Sequence, residues 1–145
     1  MRLNNFGMFA LLALTACTGD AKGPGSGTEG PTSAYDGIEQ AEKLSLGGTE
    51  PFWSATISGE TLDWTTPEIS EGLTITVKRF AGNNGLGFSG DLDGKFIQIA
   101  VTPGKCSDGM SDRTYPFTVT MMLGDQQLQG CGYSDVQLFE GEETP

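Results

Sequence analysis

Tyr115–Gly132 reads YPFTVTMMLGDQQLQGCG. Phe117, Val119, Met121 and Leu123 alternate with Thr118, Thr120 and Met122. A period of two is the pattern of a half-buried antiparallel strand, apolar on one face. Gly124-Asp125 then supplies turn chemistry, and Gln126–Gly132 returns as the second arm of a hairpin. A two-residue turn sets Cys131 opposite Thr118, on the polar face. A three-residue turn sets it opposite Val119, facing the core. Both registers stay open here, and the choice matters because a one-residue slip moves every side chain to the other face.

The same period recurs upstream. Trp53, Ala55 and Ile57 alternate with Ser54 and Thr56, and Leu62 and Trp64 follow the turn signal Ser58-Gly59. Leu73, Ile75 and Val77 form another set, and Ile97, Ile99 and Val101 a further one. Asn83-Asn84-Gly85, Asp93-Gly94 and Pro103-Gly104 are turn signals between them. The expected fold is all-β, a small antiparallel barrel or sandwich of about seven to eight short strands. Residues 48–140 form this β domain. Before it, Ile38, Ala41 and Leu44 in YDGIEQAEKLSL make a weak helical stripe. Residues 35–47 are therefore expected as a short helix or coil, ended by Gly47-Gly48. Residues 141–145 read as an acidic tail, with fraying expected from Glu140 onward.

Composition removes several chemistries. The chain has 145 residues, 8 Lys+Arg against 19 Asp+Glu, and no histidine. Without histidine no Ser-His-Asp or Cys-His nucleophile system can be assembled. Most zinc constellations fail for the same reason. A formal charge of −11 argues against a nucleic-acid partner, which needs a basic footprint. No cofactor motif is legible, so neither cofactor nor metal is expected, and the chain reads as a non-enzyme.

The amino terminus is a processing signal. In MRLNNFGMFALLALTAC, Arg2 and the α-amino group precede an apolar stretch too short to span a bilayer. Leu14-Thr15-Ala16-Cys17 resembles the lipobox of bacterial lipoprotein precursors. The resemblance implies removal of residues 1–16 and acylation of Cys17. Multiple acyl chains give stable anchoring, since each buried methylene adds about 0.8 kcal/mol. The mature chain then keeps seven basic and 19 acidic residues, a formal charge of −12. Thr18 at the position after the lipid cysteine, rather than aspartate, leans toward the outer membrane. Residues 17–34 hold the lipidated cysteine and a Gly/Ser/Thr/Pro-rich tether with little apolar surface to bury. Its r.m.s. reach is roughly 20–25 Å.

Lipidation of Cys17 leaves Cys106 and Cys131 in an oxidising compartment, where a disulfide persists. No C-x-x-C and no third thiol favour a redox or metal role for the pair.

Gly48-Thr49-Glu50-Pro51-Phe52-Trp53 and the run Cys106-Ser107-Asp108-Gly109-Met110-Ser111-Asp112, Tyr115-Pro116, Gly130-Cys131-Gly132 carry a resemblance. Together they resemble a family of uncharacterised bacterial envelope lipoproteins. Its domain also occurs joined to META-type or c-type lysozyme inhibitor domains. The likeness covers residues 46–138. It implies a periplasm-facing envelope domain and carries no established activity. The inhibitor motifs themselves do not transfer, because Ser89-Gly90-Asp91-Leu92-Asp93 lacks their tyrosine.

Four residues stand out as a candidate binding surface: Trp53, Asp108, Met110 and Asp112. Trp53 and Phe52 point to opposite faces of one strand, and core packing is the favoured reading of the pair. Asp91-Leu92-Asp93-Gly94 has half the look of a calcium loop, but Asp-Gly is also a hairpin turn, and the turn is favoured. Asp108 and Asp112 admit calcium or acid–base readings. With 19 carboxylates in the chain, turn formation and solvation explain them better. The resulting expectation is a lipid-anchored, non-catalytic binding or inhibitor module. Its partner would be a periplasmic or cell-wall protein, such as a basic hydrolase of the lysozyme kind. The alternative is a structural or stress-protective envelope lipoprotein, with a metal-dependent enzyme further behind.

Overall fold

Alternating apolar residues need a closed surface to bury against, and here the sheet closes on itself. The computed structural model describes residues 33–142. Eight strands follow in order: β1 Leu44–Thr49, β2 Phe52–Ser58, β3 Thr61–Thr65, β4 Leu73–Ala81, β5 Leu86–Leu92, β6 Lys95–Cys106, β7 Tyr115–Leu123 and β8 Gln126–Ser134. Each pairs antiparallel with its chain neighbour, and β1 pairs with β8, completing a barrel. Closure removes the sheet edges that an open meander would leave exposed. Eight strands give an interior just wide enough for side chains to fill or to hold one small ligand.

The alternation read from sequence turns inward as expected. Ile57, Leu62, Val77, Phe88, Ile99, Val101, Phe117, Val119 and Met121 are all buried in one core. Leu123 pairs with Gln126, so Gly124-Asp125 is a two-residue turn and Cys131 stands opposite Thr118. Cys131 is therefore on the outer wall, where it bonds to Cys106. Asp93-Gly94 joins Leu92 to Lys95 with both turn residues at positive φ. That is the hairpin geometry whose twist matches its strands, and the calcium look of this segment dissolves into it. Asp91 Oδ1 accepts from the Gly94 amide at 2.8 Å, closing the turn.

Three expectations need correction. Residues 35–46 hold no helix. Leu44 and Leu46 face the core from β1, which hydrogen-bonds to both β2 and β8. Two ladders satisfy more backbone groups than an isolated short helix can, and the β domain begins at Leu44 rather than at residue 48. Pro103-Gly104 is not a turn but lies inside β6, where the register with β7 shifts between Pro103 and Cys106. Such a bulge tolerates proline and bends the strand. Glu140 is not frayed either: it pairs with Thr114 through two backbone hydrogen bonds of 2.7 and 2.9 Å. The signal segment, Cys17 and tether residues 18–32 lie outside the described residues, as do residues 143–145.

The barrel ends differ. Three tight turns, Glu50-cis-Pro51, Asp93-Gly94 and Gly124-Asp125, and the longer 66–72 loop ring one end. Residues 35–43 cross the other end and seal it. Ile38 is 1% exposed although it belongs to no strand. Arg79 donates from Nη2 to the Ile38 carbonyl at 2.7 Å, and Gln137 donates to the Gly37 carbonyl at 2.8 Å. Lys43 and Asp135 exchange two further bonds, tying the start of the domain to the segment after β8.

The β1–β8 seam depends on glycine. A Cβ on Gly130 would lie 2.1 Å from the Gly47 carbonyl oxygen and 2.9 Å from the Trp53 ring. A Cβ on Gly48 would lie 2.2 Å from Trp53 Nε1. Bare backbone at these places leaves the Trp53 indole room inside the barrel.

Candidate functional site

The long β6–β7 connection is the most elaborated loop of the molecule. It leaves β6 at Cys106, and the Cys106–Cys131 disulfide draws it across β8. Ser107, Asp108 and Gly109 then make a compact turn, with Gly109 at a positive φ that suits glycine. Asp108 is its hub. Oδ1 accepts from the Met110 and Ser111 amides, each at 2.9 Å. Oδ2 accepts from the Ser111 hydroxyl at 2.8 Å and from the Tyr115 hydroxyl at 3.0 Å. The Asp108 carbonyl accepts from Thr49 Oγ1 at 3.3 Å, linking the loop to β1.

This geometry sets the charge. Burial alone would raise the Asp108 pKa, but the hydrogen bonds from Met110, Ser111 and Tyr115 outweigh it and hold the carboxyl at about 2. Burial, then the bond donated to Asp108, push the Tyr115 hydroxyl up, against a lowering pull from Arg113. A carboxylate held this low with both oxygens engaged is a poor proton donor at neutral pH. Asp108 therefore organises the loop rather than serving as an acid.

A pH dependence follows. Between about 2 and the ordinary 3.8, the unfolded chain binds this proton and the folded chain does not. Stability from this group therefore rises with pH across that window; it is complete above 3.8 and lost as pH falls through about 2. Asp108→Asn removes the charge and turns one acceptor into a donor facing two hydroxyls. The gap in unfolding free energy between wild type and variant should narrow as pH drops from about 5 to about 2. Urea titrations at several pH values measure it, and a constant gap would rule out the carboxylate as the cause.

The loop is buttressed from its far side. Tyr115, Tyr133 and Phe139 pack as a cluster, with ring centroids 5.0 to 6.2 Å apart. The Arg113 guanidinium lies 4.3 Å above the Phe139 ring. Met110 is left exposed on the loop, and Asp112 is exposed beside it. A groove of about 370 Å³ runs between the loop and the outer wall, lined by Ser45, Ser54, Thr56, Asp108, Tyr115 and Tyr133.

Of the four candidate surface residues, Asp108, Met110 and Asp112 share this loop. Trp53 does not join them. It is 4% exposed, inside the barrel, stacked on Trp64 with centroids 5.5 Å apart and planes 15° apart. Phe52, on the opposite face of β2, is the exposed partner at 54%. The reason is register: Thr49 pairs with Phe52 across the hairpin, which turns Trp53 inward with Ala55 and Ile57. Among the described residues no group of three or more Cys, Asp or Glu side chains is placed to hold a metal ion. Tyr133 and Phe139 escaped the sequence reading. Each is remote in sequence from the loop it supports, and no local pattern marks them.

No protein-family model, no curated protein and no solved structure matches this chain.

Proposed function

We propose that the chain is a lipid-anchored, non-catalytic binding module of the bacterial envelope, docking a periplasmic or cell-wall protein through the pinned loop. The anchor is Cys17, and the module faces the periplasm, at the outer membrane by the absence of aspartate at position 18. One observation carries the reading. The loop is held by a disulfide, by four bonds to one carboxylate and by the Thr49 hydroxyl, yet it exposes Met110 to solvent and lines an open groove through Asp108. A loop ordered before binding loses little entropy on docking, which is how inhibitor loops gain affinity. Polarizable methionine suits a protein surface. The absence of histidine supports a non-catalytic role.

Charge supports a basic partner. Residues 33–142 carry six basic and 16 acidic side chains. A basic hydrolase such as a lysozyme would be steered to that surface, at rates that fall with salt. Purified protein is expected to inhibit a c- or g-type lysozyme, and Met110→Glu to weaken inhibition by about tenfold, the weight of one central contact. No inhibition at micromolar concentration removes the inhibitor form of the proposal.

A further inference from the structure

The three tight turns and the 66–72 loop surround a cavity of about 230 Å³ that the pinned loop does not touch. Its floor is the Trp53–Trp64 stack, and Leu73, Leu92 and Leu128 form its walls. At its lip Phe52 and Ile69 are exposed, at 54% and 38%. Ile38 seals the far end of the barrel, so whatever enters leaves by the same mouth.

We propose that this mouth binds a small amphipathic cation: a compact apolar group carrying an amine or quaternary ammonium. The apolar group fits the aromatic floor. The cavity lies near the small end of ligand sites, which limits the guest to a short chain or single ring. The head group is selected by charge. The turns at this end carry Glu50, Glu68, Glu71, Asp93 and Asp125 against Lys95 alone, a local balance of −4. Glu68 and Asp93 line the cavity itself together with Lys95, so two carboxylates face one ammonium at the mouth. A cation at the lip meets carboxylates, and an anion on the same tail meets repulsion. This site stands on the barrel geometry and is independent of the anchor and of the loop.

The chain contains two tryptophans, and both lie in this floor. Tryptophan emission, excited beyond the tyrosine absorption, therefore reports on the mouth. Titration of the purified protein with hexyltrimethylammonium should shift tryptophan emission saturably. Hexyl sulfate should bind about tenfold more weakly at low salt, a preference that salt erases. Tetramethylammonium, a head without a tail, should leave the emission unchanged. Glu68→Gln with Asp93→Asn should reduce the preference for the cation while keeping tail binding and the melting temperature. No saturable shift with either hexyl probe overturns the site. Equal affinity for the two at low salt overturns its charge selectivity and with it the proposed ligand class.

Discussion

Removing the Cys106–Cys131 bridge should cost about 3.5 kcal/mol of folding stability. The bond spans 25 residues of sequence, and the loop-closure entropy it removes from the unfolded chain sets this magnitude. For a domain this small the melting temperature should fall by roughly 15 °C. The choice of replacement matters. Cys131 is 6% exposed, so serine there would bury an orphan hydroxyl and add a cost of its own. Cys106→Ser with Cys131→Ala isolates the cross-link. The native fold offers partial compensation, because the Asp108 bonds to Met110, Ser111 and Tyr115 are local to the loop. The loop should therefore keep its turn but lose its seat across β8. Denaturant unfolding of the double variant measures the loss, and a value under about 1 kcal/mol would assign loop and barrel stability to the carboxylate network instead.

Ile38→Ala is the second large effect, at about 2–5 kcal/mol. Ile38 sits in an irregular segment, yet it is as buried as any strand residue. Truncating it leaves a cavity under the sealed end of the barrel. The segment cannot easily collapse to fill it, since Arg79 holds the Ile38 carbonyl and Gln137 the Gly37 carbonyl. Ile38→Leu conserves volume and should cost under about 1.5 kcal/mol. Equilibrium unfolding of both variants separates the outcomes. Equal, small losses would mean that residues 35–43 rest on the barrel end without plugging it.

Both effects arise where chain segments far apart in sequence meet, and that divides what could be read beforehand from what could not. Strands β2, β3, β4, β6 and β7 were legible from their alternating apolar residues, and β8 from the Gly124-Asp125 turn that returns the chain beside β7. Strands β1 and β5 were not. LSLGGT and LGFSGDL place glycine where alternation calls for apolar side chains, at Gly48 and Gly90. Those glycines answer to neighbours rather than to the strand itself. Gly48 makes room for the Trp53 indole, and a Cβ on Gly90 would come within 2.8 Å of the Thr76 carbonyl oxygen. In the candidate loop, the cysteine pairing and the turn chemistry of Asp108-Gly109 were readable from count and residue type. The aromatic buttress of Tyr133 and Phe139 was not, since its members are distant in sequence.

The sequence by itself determined an all-β chain with a disulfide between its last two cysteines, because period-two patterning, turn dipeptides and cysteine count are local or additive properties. Only the tertiary structure decided the rest: that the sheet closes between β1 and β8, that Gly124-Asp125 is a two-residue turn putting Cys131 on the outer wall, and that Ile38 seals one end. It also decided that Trp53 lies inside, apart from the Asp108 loop, and that the opposite end stays open above a tryptophan floor. Register and closure rest on which distant backbones pair, and a single-residue slip would have exchanged every inward and outward side chain.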